Sequence, residues 1–329
     1  MKKILLFDTA IGTSNFGDEI IFQSVVEAFN PLFNESMVFR LGTHIQNYTF
    51  LQLLKPNWKI RDTNLNVDYK FIAGTNLIQN DLLRLKPQFM LSPSNKRLVE
   101  NAVFVSVGRN KDFHSFSNHY TKELYKRTFS HEYIHSTRDE ETKEVLESIG
   151  LKAINTGCST LWGITDDFCK DIPKKKSSSC VITVSGNTKY LNPEADKHMV
   201  ETVRKKYDKV YAWIQTPLDL KYLKDLIDIE ENRIECIYSL SKYHDILESG
   251  GVDYIGTRLH GGCFAIRHKV RTIIISIDQR SAGIHKANNI PILLRSEIDS
   301  LEEMIETEWS TDIHVDQNAV DTFLSQFKS

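Results

Sequence analysis

The chain has 329 residues, with 41 Lys and Arg against 43 Asp and Glu, a formal charge of −2. A length of this order suggests about two domains with buried cores, and 41% hydrophobic with 26% charged residues is the composition of a soluble globular protein. The near-neutral balance excludes a general electrostatic nucleic-acid binder, and apolar residues spread along the whole chain exclude disorder.

The basic start Met1-Lys2-Lys3 precedes an apolar run, Ile4 to Phe7, that is too short for a signal peptide and reads as a first buried strand. Nothing approaches the roughly 18–20 apolar residues of a membrane span. Five cysteines (158, 169, 180, 236 and 263) include no C-x-x-C pair, so neither a zinc site nor a disulfide framework is expected. A reducing cytosol fits that pattern.

Short β-branched runs then alternate with helical periodicity. In the first half, strands are predicted at Ile4–Asp8, Met37–Leu41, Tyr69–Ala73, Val103–Val107, Ile134–Thr137 and Lys152–Asn155. Helices are predicted at Glu19–Phe29 and Glu140–Ile149, the second stopped by Gly150. Residues 165–179, with Pro173, the Lys174–Lys176 run and three serines after it, read as a linker. The lysine run suits solvent, or alternatively acidic lipid headgroups. Beyond it, strands are predicted at Cys180–Ser185, Lys209–Ile214, Arg233–Tyr238, Tyr254–Thr257, Val270–Ile277 and Ile292–Leu294. Helices are predicted at Pro193–Lys206, Leu218–Asp228, Ser241–Glu248, Gly262–His268, Ile298–Thr307 and Asn318–Phe327. The expected fold is α/β, with two Rossmann-like domains facing across a cleft: residues 1–165, a linker at 166–179, and residues 180–312. A C-terminal helix within 313–329 is expected to pack back on the first domain.

In such folds ligands sit beyond the carboxyl ends of the strands, so the strand-to-helix turns carry the chemistry. The first turn holds Asn15-Phe16-Gly17-Asp18-Glu19, where Gly17 admits a close ligand and Asp18 is the expected N-cap. Gly256-Thr257-Arg258-Leu259-His260-Gly261-Gly262 is the strongest site. Arg258 offers a guanidinium fork, His260 a proton donor near neutral pH, and Gly261 and Gly262 bare amides at a helix start, an anion cradle. Arg280, after the strand ending at Ile277, and Arg138, in Ser136-Thr137-Arg138-Asp139-Glu140, are further cations at strand ends, with Arg109 a weaker one. For these a surface salt bridge is the competing explanation. His131-Glu132-Tyr133-Ile134-His135 matches H-E-x-x-H, but that pattern binds zinc only when helical. On the strand predicted here the two rings would stand about 13 Å apart.

In the same order, the N-F-G-D-E, S-T-R-D-E and G-T-R-L-H-G turns resemble those of the polysaccharide pyruvyl transferases, over nearly the whole chain. The resemblance implies two Rossmann-like halves arranged as in the GT-B glycosyltransferases. It also implies transfer of pyruvate from phosphoenolpyruvate to a saccharide as a ketal, with release of phosphate. Arg138 then matches the first-half arginine of donor binding, and Arg258 and His260 match the second-half donor site. Two positions depart from the family: Arg280 stands where a lysine is usual, and Gly74-Thr75-Asn76 replaces a glycine triplet, which narrows the acceptor side. Under this reading Arg138, Arg258, Arg280, Gly261 and Gly262 hold the donor, His260 is the general acid and Asp18 orients or deprotonates the acceptor. Asn15, Gly17, Thr75, Asn76 and Arg109 face the acceptor, and no metal or cofactor is expected. The partners are phosphoenolpyruvate and a saccharide, with a lipid-linked glycan at the inner membrane face as one form, placing a cytoplasmic protein in peripheral contact with the bilayer. Two alternatives remain: a GT-B glycosyltransferase using a sugar nucleotide, with Glu248 meeting the ribose, and a non-catalytic glycan- or anion-binding relative.

Overall fold

A computed structural model of the chain describes residues 1–49, 51–52, 65–83, 89, 91–92, 96–110 and 113–327. The elements, in chain order, are β1 (Lys2–Asp8), α1 (Phe16–Ala28), α2 (Asn30–Phe33), β2 (Ser36–Gly42), β3 (Tyr69–Ala73), α3 (Lys96–Val99), β4 (Val103–Val105), α4 (His119–Lys126), β5 (His135–Thr137), α5 (Glu140–Glu147) and β6 (Ala153–Asn155). They continue with α6 (Asp166–Lys170), β7 (Ser179–Thr183), α7 (Pro193–Lys206), β8 (Lys209–Trp213), α8 (Pro217–Leu226), β9 (Ile234–Ile237) and α9 (Leu240–Glu248). The last are β10 (Val252–Gly256), α10 (Leu259–Arg267), β11 (Thr272–Ser276), α11 (Gln279–Asn288), β12 (Ile292–Leu294), α12 (Leu301–Glu306) and α13 (Gln317–Leu324).

The chain forms two compact α/β units. The first comprises residues 1–13, 21–162 and 316–329, the second residues 14–20 and 163–315. Residues 14–20, which carry the N-F-G-D turn, thus belong to the second unit. Residues 166–179, expected as a linker, contain α6, and Cys169 and Ile172 are buried there.

In the first unit the parallel sheet runs β2-β1-β3-β4. A bridge from Val107 to Thr137 leads on to the parallel pair β5-β6. The order reverses between β1 and β3, which makes the turns after those strands a topological switch point. β1 has no alternation, because Ile4, Leu5, Leu6 and Phe7 are buried on both faces. Gly150, at φ +83°, ends the turn after α5 as expected. α13 closes this unit: Phe323 and Phe327 pack against Phe29, and Gln326 bonds the backbone of Ile134 on both sides.

The second unit has one six-stranded parallel sheet in the order β12-β11-β10-β7-β8-β9. Renumbered from β7, this is the Rossmann order, with its switch point between β7 and β10. Its core gathers Met199, Val200 and Val203 of α7 over Ile182, Val210 and Ile255. A buried pair, Arg271 and Asp253, sits at the opposite, amino edge of the sheet. Arg271 also donates to the carbonyls of Met304, Ile305 and Thr307 and so ties down the end of α12.

The H-E-x-x-H stretch is not helical. His135 opens β5 and is fully buried; its Nδ1 accepts from the Phe104 amide at 3.0 Å and its Nε2 donates to the Ser130 carbonyl at 2.9 Å. Burial lowers its pKa to about 4 from an ordinary 6.5. The folded state therefore holds the ring neutral while the unfolded state takes up a proton below pH 6.5. This contribution is fully present above pH 6.5 and is lost as pH falls toward 4. Urea unfolding should show a loss of about 2 kcal/mol between pH 7 and pH 5 that is absent in His135→Gln, at whatever baseline stability that variant has. Equal pH dependence in the two proteins would contradict the assignment.

Candidate functional site

The strands of the second unit end in turns that a single carboxylate holds together. Asp219, fully buried in the first turn of α8, accepts from Arg258 Nε at 3.0 Å and also from Arg258 Nη2. It further accepts from the amides of Gly186 at 2.9 Å and Thr216 at 3.0 Å. One side chain thus joins the turns after β7, β8 and β10. Gly186 is required there, since a Cβ would lie 2.1 Å from the Leu218 carbonyl oxygen.

Arg258 therefore does not present a bare fork. Its Nε and one terminal nitrogen are committed to Asp219, and Nη2 also reaches Thr216 Oγ1 at 3.2 Å, with the side chain 16% exposed. This fixes the guanidinium plane at the switch point. The backbone beside it is fixed as well: the Thr257 amide donates to the Thr183 carbonyl, the Arg258 amide to Thr183 Oγ1, and Tyr254 Oη to the Arg258 carbonyl at 2.7 Å.

α10 begins at Leu259, three residues before the expected start, with Arg258 in extended conformation at the cap position. His260 is the second helical residue, so the amides that point out of the helix start are those of Leu259, His260 and Gly261. Gly262 is not part of an open cradle, because its amide donates to the Arg258 carbonyl at 3.0 Å. The two glycines serve close packing instead. A Cβ on Gly261 would press on Trp213 at 3.0 Å, and one on Gly262 would lie 2.5 Å from Ile274. Trp213 in turn stacks on Tyr243 at 4.2 Å, and Tyr243 Oη donates to the Gly261 carbonyl.

The N-F-G-D turn joins this same unit. The Phe16 amide donates to the Gln215 carbonyl at 3.2 Å, Gln215 Nε2 donates to Asn15 Oδ1 at 2.7 Å, and the Phe16 ring lies 6.4 Å from that of Trp213. Gly17 allows the approach, since a Cβ would stand 2.8 Å from Gln215 Nε2. The expected cap is shifted by three residues. Asn15, not Asp18, takes the cap role and accepts from the Gly17 amide, while Asp18 lies in the first turn, 9% exposed. A carboxylate there is favoured by the helix dipole.

Three further buried groups at these strand ends have no hydrogen-bond partner among the described residues: Trp213 Nε1, Gln215 Oε1 and Thr257 Oγ1. Orphaned buried polar atoms are costly and mark a place where a ligand or water completes the bonding. The backbone of Arg280 lies in the first turn of α11 rather than in a loop, and its side chain lies outside the described residues.

In the first unit the strand-end residues make the following local contacts. Arg138 lies flat over Gly108, where a Cβ would be 2.3 Å from Nε, and its side chain is 10% exposed. Asp139 caps α5 through the Thr142 amide. Arg109 donates to the Phe113 carbonyl and lies 4.0 Å from Asp139. Gly74 is required by the Ser106 carbonyl oxygen, which would stand 2.2 Å from a Cβ there, and the Thr75 carbonyl accepts from the Gly108 amide. Asn76 Oδ1 is buried without a partner among the described residues. Glu248, expected at a ribose in the sugar-nucleotide alternative, ends α9. Helices of a parallel α/β unit run back toward the strand amino ends, so Glu248 lies on the opposite edge from Arg258.

No local pattern marks Asp219, Gln215 and Trp213 as site residues. Thr216-Pro217-Leu218-Asp219 is readable as a helix start with an acidic third position, but its pairing with Arg258 is not. Asp219→Asn should lower unfolding free energy by about 3 kcal/mol, the low end of the cost of breaking a buried pair, because Arg258 keeps some solvent contact. Denaturant titration within about 0.5 kcal/mol of the parent would show that the pair is not the brace described.

No helix among the described residues is long and apolar enough to cross a membrane. Comparison with curated protein sequences gives no match. Among solved structures, the chain is similar to the S. aureus MnaA–UDP co-structure, at 12% identity and TM-score 0.49 over 98% of this chain and 94% of that one. It is also similar to Neisseria meningitidis UDP-GlcNAc 2-epimerase bound to UDP-GlcNAc, at 12% identity and TM-score 0.48 over 99% and 98%. A third is E. coli heptosyltransferase WaaC with ADP-2-deoxy-2-fluoro heptose, at 10% identity and TM-score 0.44 over 92% and 98%. The family model of polysaccharide pyruvyl transferase matches residues 15–279, from the N-F-G-D turn through the R-L-H-G turn to the start of α11, and the chain belongs to that family.

Proposed function

We propose that the chain transfers the carbon skeleton of phosphoenolpyruvate to a saccharide as a pyruvate ketal and releases phosphate. The observation that carries this reading is the R-L-H-G turn at the Rossmann switch point. There the braced Arg258 guanidinium stands at the cap position, His260 is the second helical residue, and the amides of Leu259, His260 and Gly261 open the first turn. A phosphate monoester beside a carboxylate needs such a set of donors, and hydrogen bonds to charged groups contribute about 1.5–3 kcal/mol each.

One sugar hydroxyl adds to C2 of the donor while C3 takes up a proton and becomes a methyl group. A neighbouring hydroxyl then bonds C2, the C2–O bond to phosphate breaks, and the second hydroxyl proton leaves with phosphate. His260 is the general acid for C3 or for the departing phosphate. Arg258 and the first-turn amides hold the phosphate as charge builds on it. Asp18 orients the acceptor hydroxyl. The acceptor is a saccharide, in lipid-linked form one that would bring the protein to a membrane surface from the cytoplasmic side.

Phosphate release from phosphoenolpyruvate should depend on an added glycan. In D2O the product methyl group should carry one deuterium by NMR. His260→Ala should lower kcat by about 10²–10⁴ with the fold intact by circular dichroism. Full turnover in His260→Ala, or consumption of UDP-sugars in place of phosphoenolpyruvate, would overturn the reading.

A further inference from the structure

On the amino edge of the second unit's sheet, three side chains converge that the transfer reaction does not use. His244 and Glu248 stand one helical turn apart on α9, on the same face. His268 follows the last residue of α10. One ligand atom from each lies within 4.8 Å of the others. His268 Nε2 is 3.8 Å from Glu248 Oε1, and the two imidazoles meet edge-on at 5.0 Å.

We infer that His244, Glu248 and His268 form a binding site for a divalent transition metal of the zinc class. His268 is the rigid member. Its Nδ1 donates to the Phe264 carbonyl at 2.7 Å, its ring packs on Phe264 at 4.3 Å, and only 13% of the side chain is exposed. That bond fixes the tautomer with the Nε2 lone pair facing Glu248, the outer-shell arrangement typical of metal-binding histidines. His244 and Glu248 are about half exposed and able to turn. Tetrahedral zinc with bonds near 2.0–2.1 Å asks for ligand atoms about 3.4 Å apart, a small closure from the distances here. Two imidazoles and one carboxylate suit zinc, cobalt or nickel rather than calcium or magnesium, and leave one position for water. A bound ion would clip the end of α9 to the end of α10, the helix whose first turn carries His260. The other cluster, Asp166, Asp312 and His314, is wholly exposed, and nothing comparable orients it.

The test uses the full chain stripped with a chelator and titrated with Zn(II) by calorimetry and with Co(II) by visible absorption. One ion should bind per chain, with the intense d–d bands of tetrahedral Co(II). His244→Asn and Glu248→Gln, both at exposed positions where the fold tolerates change, should each weaken binding by about tenfold or more. His314→Ala should leave binding unchanged. No binding below about 1 mM, binding indifferent to both His244→Asn and Glu248→Gln, or binding lost in His314→Ala would each overturn the proposal.

Discussion

A buried ion pair organises the carboxyl ends of the strands in the second unit. Asp219 collects two bonds from Arg258 and one each from the amides of Gly186 and Thr216. It thereby joins three turns that would otherwise be independent loops. Burying a carboxylate is costly unless it is fully bonded and paired, and here it is. The consequence for Arg258 is positional. With two of its nitrogens anchored, the guanidinium plane cannot swing, and the first turn of α10 is set against the end of β10.

That constraint changes how the turn reads chemically. A loose arginine would be a mobile cation that any anion could collect. A braced one contributes orientation and partly compensated charge, so under the proposed function the first-turn amides of Leu259, His260 and Gly261 would carry more of the phosphate binding. The glycines serve the same end from below. Without side chains at 261 and 262, α10 settles onto Trp213 and Ile274, and the helix terminus is brought close to the switch point. Preorganised donors of this kind act without reorganising during the reaction.

Much of the fold is legible because parallel strands buried on both faces leave continuous apolar runs, as in Ile4–Phe7 and Thr272–Ser276, with Gly150 and the strand-end turns as punctuation. Local patterns mislead where packing overrules propensity. Gly261-Gly262 reads as a helix start, yet α10 begins at Leu259 and runs through both, and the glycines answer instead to close packing on Trp213 and Ile274. Asp18 reads as the cap, but Asn15 takes that role while also accepting from Gln215, 200 residues away. Nothing in the sequence announces α11, because Gln279–Asn288 is mostly polar, with Gly283 inside it and no apolar stripe. The grouping of residues 14–20 with the second unit rests on the same long-range contacts, which leave no local trace. Of the candidate site, the cationic turn is readable as a motif, while its brace at Asp219 and the orphaned Gln215, Trp213 and Thr257 groups depend on tertiary proximity alone.

The most direct measurement is a crystal structure of the chain soaked with phosphoenolpyruvate. The account predicts phosphate density within hydrogen-bond reach of the Leu259, His260 and Gly261 amides, with the Arg258–Asp219 pair intact beneath it. Phosphoenolpyruvate bound elsewhere, with that helix terminus left to solvent, would contradict it.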